Sequence, residues 1–171
     1  MARRIISYTT ITPTAFADTT NLTNTTYPLF LQGGTATQQN KIHEISISGQ
    51  AASSSSPTFM ILSRDSTVAA SSISFPADTG MDASMDTATA ALAAPPLSGN
   101  AATTLPQRSS TLHLMNCSLN AFGGVYFWRA NKWDECVDIV GNAASFGEVS
   151  LSAFTGGTPG AVGVHLIYES L

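Results

Sequence analysis

Two cysteines (Cys117, Cys136), three histidines (His43, His113, His165) and eleven Asp and Glu residues are the side chains of this 171-residue chain best suited to covalent or metal chemistry. Nucleophilic hydrolysis needs a Ser or Cys beside a His and an acid, and its commonest local signature, Gly-x-Ser-x-Gly, is missing. The two Cys and any two His could in principle assemble zinc from different strands, but no Cys-x-x-Cys and no paired His spacing supplies half a site. His43-Glu44 lacks the second His of a metalloprotease helix. Asp78, Asp82 and Asp86 recur every four residues, whereas an EF-hand loop places acids at every second position before a Gly, so they read as solvated loop acids. No Gly-rich loop precedes a helix to cradle phosphate, and nothing argues for a carboxylate pair of the glycosidase kind. The expectation is therefore a non-enzymatic protein with no catalytic residue, cofactor or metal. Both Cys read as buried free thiols, and each His as a satisfied or solvent-facing strand residue.

The elements that would position these residues are built from an unusual composition. Charged residues make up only 11% of the chain, against about 25% in a typical soluble domain. Ser, Thr, Asn and Gln, 55 residues together, take over solvation. With two Lys and a net charge of −4, no general affinity for nucleic acid is expected, because counterion release needs clustered Lys and Arg. No apolar run approaches the length of a bilayer span, and Arg3-Arg4 is followed only by Ile5-Ile6 before Ser7, so neither a membrane partner nor an export signal is expected. Residues 1–64 carry net +2 and residues 65–171 net −6. Arg3 and Arg4 could thus dock on an acidic partner or simply be solvated.

Period-2 alternation recurs and no helical period competes with it. Ile45 and Ile47 alternate with Ser46 and Ser48; Phe59 to Leu62 is a compact apolar run, and the Ser-rich stretch Gly49 to Pro57 between the two reads as a hairpin loop. Further strands are expected around Leu112 and Leu114, Val125 to Trp128, Val137 and Ile139, and Val149 and Leu151. In the strand 162–169, Val162, Val164, Leu166 and Tyr168 line one face and Gly163, His165, Ile167 and Glu169 the other. Seven or eight short strands separated by Gly, Pro and Ser clusters predict an all-β fold, an antiparallel β-sandwich of jelly-roll-like build.

Two stretches stand apart. Residues 1–40 predict an extended N-terminal arm preceding a sandwich domain of residues 41–171. Within that arm Tyr27, Leu29, Phe30 and Leu31 either plug onto a neighbouring subunit or close the sandwich as an intramolecular strand. Residues 76–107 predict a long central loop lying across a partner or across the protein's own sheet, with a helical turn within 85–94. Ser118 to Gly124 and Ser150 to Gly157 echo each other, each a strand end followed by Phe and a Gly pair. Both read as hairpin tips of similar build, and the functional alternative sets Phe122 and Phe154 side by side at one end of the sandwich as a contact patch.

The chain as a whole resembles the small β-rich structural proteins of tailed-bacteriophage virions, above all head decoration or cement proteins. The resemblance is carried by Met1-Ala2-Arg3-Arg4, the Ser/Thr/Ala/Gly-rich body of low charge, Ala90-Ala91-Leu92-Ala93-Ala94-Pro95-Pro96, and the stretch from Leu151 through Gly157 to Glu169. It implies a homotrimer made in the host cytoplasm that binds the outer surface of the virion capsid and bridges major capsid protein subunits. Arg3, Arg4, Tyr27, Leu29, Phe30, Leu31, Phe122 and Phe154 are the expected partner-binding residues. The alternatives are a tail, neck or fibre-associated adaptor, and a carbohydrate-binding sandwich stacking sugars on Trp128, Trp133 and Tyr126, three rings that core packing explains more directly.

Overall fold

The computed structural model describes residues 29–51, 57–69, 97–99, 104–154 and 161–171. Among the described residues nine strands form two antiparallel sheets. The larger has the order β4 (Leu97–Gly99), β1 (Leu29–Gln32), β8 (Glu148–Phe154), β3 (Pro57–Thr67), β5 (Gln107–Asn120). The smaller is organised around β2 (Gln39–Gly49), which pairs along its length with β9 (Val162–Ser170). On its other side β2 meets two strands in succession, β7 (Val137–Val140) and β6 (Val125–Arg129).

Alternation decides what each strand buries. Leu31, Met60, Leu62, Leu119, Val149 and Leu151 from the larger sheet meet Ile42, Ile45, Ile47 and Ile139 from the smaller in one buried cluster. Burial of each such side chain is worth about 1.5–3 kcal/mol. Tyr126, Trp128, Val162, Val164, Leu166 and Tyr168 pack against the same cluster, so the expected inward face of the 162–169 strand is the observed one. The gap lined by Leu31, Ile42, Ile45, Leu62, Val149 and Leu166 has a volume of about 10 Å³, room for one water at most.

The connections differ from the expected ones. β2 and β3 lie in different sheets, as do β5 and β6, so both expected hairpins are crossings between layers. The β5–β6 crossing turns tightly: Gly123 has φ +80°, and the Gly124 N–H donates to the Asn120 carbonyl at 2.8 Å. The turn is stitched to the end of β2 by Gly49 N–H to Gly124 O, 2.8 Å, and Ala51 N–H to Ala121 O, 2.9 Å. A Cβ at Gly49 would stand 2.4 Å from the Ala121 carbonyl oxygen, which is why a strand rich in Ile and Ser ends in Gly.

Residues 29–40 are not an arm. Leu29 to Gln32 form β1, hydrogen-bonded between β4 and β8, and Gln39 begins β2. The apolar run that suggested a plug is taken up by the core of this same chain, so the intramolecular alternative is the one observed. The expected loop at 76–107 likewise contains a strand, because Leu97–Gly99 pair with Phe30 to Gln32. Residues 1–28, 52–56, 70–96, 100–103 and 155–160 lie outside the described residues, and with them the expected helical turn and Asp78, Asp82 and Asp86.

Candidate functional site

The outer face of the smaller sheet gathers the chemistry. β2 must change partners from β7 to β6 midway, and its register against β9 slips there, with Ile42 opposite Tyr168 and Glu44 opposite Ile167. The extra residue is His43. A bulge of this kind breaks the alternation and re-aims a side chain, and here it leaves His43 outward beside the outward Lys41. The His43 carbonyl is taken by the Ala130 N–H at 2.8 Å, which anchors the segment between β6 and β7 across the bulge. That segment contains a 3₁₀ turn, Trp133–Glu135, and delivers Cys136 to the imidazole.

Cys136 Sγ lies 3.3 Å from His43 Nδ1, and His43 Nε2 lies 3.3 Å from Glu169 Oε2 on β9. One tautomer satisfies every group: the thiol donates to Nδ1, and Nε2–H donates to the carboxylate. Trp133 closes one side, its ring centroid 5.4 Å from that of His43. Lys41 Nζ lies 5.2 Å from the Trp133 ring and bonds Asp138 Oδ1 at 2.6 Å. Burial, and then the negative charges of Asp138, Glu169 and Asp134, push the Cys136 thiol above its usual range, while Lys41 opposes them. The resting group is thus a neutral thiol with an acceptor nitrogen in contact. Among the described residues no three His, Cys, Asp or Glu side chains are arranged to hold one metal ion.

Along the rest of this face, strand register sets small residues between large ones. Ser46 stands between Phe127 and His165, and Ser48 between Val125 and Gly163. Val125 is 72% exposed and Phe127 57%, while Trp128 and Tyr126, one residue away, face the core. Of the three rings considered for sugar stacking, only Trp133 therefore projects outward, at 48% exposure.

A second cluster lies on the opposite sheet, on the faces of β3 and β8 turned away from the shared core. Asp65 and Glu148 are fully buried there. Ser150 Oγ donates to Asp65 Oδ1 at 2.6 Å, and the Ala69 N–H donates to both Glu148 oxygens at 3.0 and 2.9 Å. Burial raises both carboxyls; the Asp65 charge raises Glu148 further, while Arg108 and hydrogen bonds from neighbours hold Asp65 lower. Of the two, Asp65, raised to about 6, ionises first, so at neutral pH Glu148 holds the proton of the pair.

Of the expected partner-binding residues, Leu29, Phe30 and Leu31 are withdrawn from the surface: Phe30 and Leu31 are buried and Leu29 packs on the core. Phe122 sits in the β5–β6 turn, 57% exposed. Phe154 ends β8 with its Cα paired to Phe59, whose other partner is Ser118, so the backbone brings Phe154 and the Phe122 turn to the same end of the sandwich. Arg3, Arg4 and Tyr27 lie outside the described residues. The cluster of Cys136, His43 and Glu169 was not anticipated, because its members are 93 and 126 positions apart. The available signal was weaker: Cys136 and Asp138, and His165 and Glu169, occupy polar phases of alternating strands, whereas His43 shares the phase of the inward Ile45 and Ile47. Comparison with protein-family models, with curated proteins and with solved structures gives no match to this chain.

Proposed function

We propose that this chain is a non-enzymatic structural protein of a tailed-phage virion that binds the outer surface of the capsid, bridges major capsid protein subunits and assembles as a homotrimer. The observation that carries the reading is the exposed apolar face of β6 and the adjoining turn, where Val125, Phe127 and Phe122 are each more than half exposed. Exposed apolar clusters of this kind mark protein contacts. They stand on a surface poor in Lys and Glu, whose long side chains lose the most rotamer freedom on being packed. The acidic balance suits the outside of a shell better than contact with packaged DNA. Phe122 and Phe154 belong to this contact surface by their shared end of the sandwich, and Arg3, Arg4 and Tyr27 are assigned to partner contact with it.

The test is antibody-gold labelling and peptide mass spectrometry of density-purified particles from the producing host. Gold over intact heads, lost when Phe127 and Val125 are both replaced by Ser, supports the proposal. Gold confined to tails or necks transfers the chain to the adaptor reading, and its absence from particles refutes a virion role. Light scattering of the purified protein checks the trimer separately.

A further inference from the structure

We propose that Cys136 is a covalent modification site for uncharged soft electrophiles, in which His43 takes the thiol proton as the sulfur attacks and Glu169 holds the imidazole in position. The site is independent of the capsid reading and uses residues to which that reading gives no role. Its geometry is that of an activated nucleophile: thiol and imidazole in contact at 3.3 Å, and the far ring nitrogen 3.3 Å from a carboxylate. Each member is fixed by a different element. β2 supplies His43 at its bulge, β9 supplies Glu169, and Cys136 follows the 3₁₀ turn. Both cysteines are half-buried, but Cys117 on β5 packs against the core and burial pushes its thiol up to about 11, whereas Cys136 lies outside the core cluster.

The surroundings select the reagent. Asp134, Asp138 and Glu169 all bear on the sulfur and only Lys41 opposes them, itself paired to Asp138. An anionic reagent is repelled by that balance. The half-exposed Trp133 indole offers a flat apolar surface beside the imidazole, so a neutral aromatic reagent is favoured. With a neutral aromatic disulfide the exchange balances as follows. The Cys136 S–H proton passes to His43 Nδ1, the sulfur bonds to one sulfur of the reagent, its S–S bond breaks, and the departing aryl thiolate recovers the proton from the imidazolium.

The experiment follows the reaction of the full chain with 4,4′-dithiodipyridine, which is neutral, and with 5,5′-dithiobis(2-nitrobenzoate), which is a dianion, across pH 6 to 8. Peptide mass spectrometry assigns the modified Cys. Expected results are modification of Cys136 at least about tenfold faster than Cys117, a preference for the neutral reagent that Cys136→Ser removes, and a rate that rises by clearly less than tenfold per pH unit. His43→Gln should lower the rate at pH 7 about tenfold and restore a tenfold rise per pH unit, the behaviour of a bare thiol. Glu169→Gln separates positioning from simple charge. Removing a negative charge near the sulfur should on its own speed the reaction, whereas loss of imidazole positioning slows it, and a two- to fivefold slowing is expected. A faster Glu169→Gln variant, a rate unchanged in His43→Gln, or equal labelling of Cys117 and Cys136 would overturn the proposal. Should His43→Gln fail to fold, the wild-type pH profile decides alone: a tenfold rise per unit throughout refutes base assistance.

Discussion

Replacing Glu148 by Gln should stabilise the fold at neutral pH and weaken the loss of stability with rising pH. In the unfolded chain Glu148 ionises near its ordinary value of 4.5, whereas in the fold burial and the neighbouring Asp65 charge push it up to about 10. Between those limits the native state holds a proton that the unfolded state has released. Stability is therefore fully present below about pH 4.5 and declines as pH rises, at about 1.4 kcal/mol per pH unit for one retained proton. From pH 5.5 to 7.5 that amounts to about 3 kcal/mol, a large share of the 5–15 kcal/mol that holds a typical domain together. Gln is nearly isosteric with the protonated acid. Its carbonyl can accept the Ala69 N–H and its amide can donate to Asp65, with no proton to retain. Urea unfolding at pH 5.5, 6.5 and 7.5 should show wild type losing about 3 kcal/mol more than E148Q over that interval, with E148Q the more stable of the two at pH 7.5. Asp65, itself raised to about 6 by burial and bonded to Glu148, titrates in the same interval, so the difference between the slopes reports the buried pair together. Parallel slopes, or an E148Q protein less stable than wild type at pH 7.5, would refute the argument that the buried pair carries one proton.

Ile45→Ala removes a fully buried side chain from the centre of the shared core and should cost about 2–5 kcal/mol by urea unfolding, because the two sheets cannot close fully over the lost volume. Gly141→Ala should cost about 1–3 kcal/mol in the same assay. Gly141 has φ +75°, and a Cβ there would stand 2.6 Å from the Ala36 carbonyl oxygen, so both the backbone and the neighbouring loop resist the methyl group.

The two-layer β fold was legible because apolar side chains recur at every second position wherever a strand covers a core. Val162 to Tyr168 and Ile45 to Ile47 are clear cases, and both run as read. What alternation does not encode is which sheet a strand joins. Gly49 to Pro57 and Ala121 to Gly124 have hairpin composition, yet each carries the chain across the sandwich, because Gly and Ser permit a reversal without choosing its plane. Leu29 to Leu31 was ambiguous for a related reason: three apolar residues fit a partner's groove or an empty place beside β8 equally well, and only the register with Glu148 to Leu151 distinguishes them. The Cys136, His43 and Glu169 cluster was hidden by a single inserted residue in β2. Without the slip between Ile42 and Glu44, strict alternation would not place His43 and Glu44 side by side on the outer face.

The strand order also governs how this chain can emerge from a ribosome. β1 finds its neighbour β8 only roughly 120 residues later, and β2 finds β9 after a similar interval. At about 5–20 residues per second, the early strands wait on the order of ten seconds with unpaired edges. Pairings this distant in sequence fold slowly and leave intermediates open to edge-to-edge association. The bare edge of β2 is less inviting than an all-apolar strand, since Ser46 and Ser48 interrupt its isoleucines and Lys41, His43 and Glu44 crowd one end. A polar outer face on the central strand thus has a use before the sandwich exists, in keeping nascent copies of the chain from zipping onto one another.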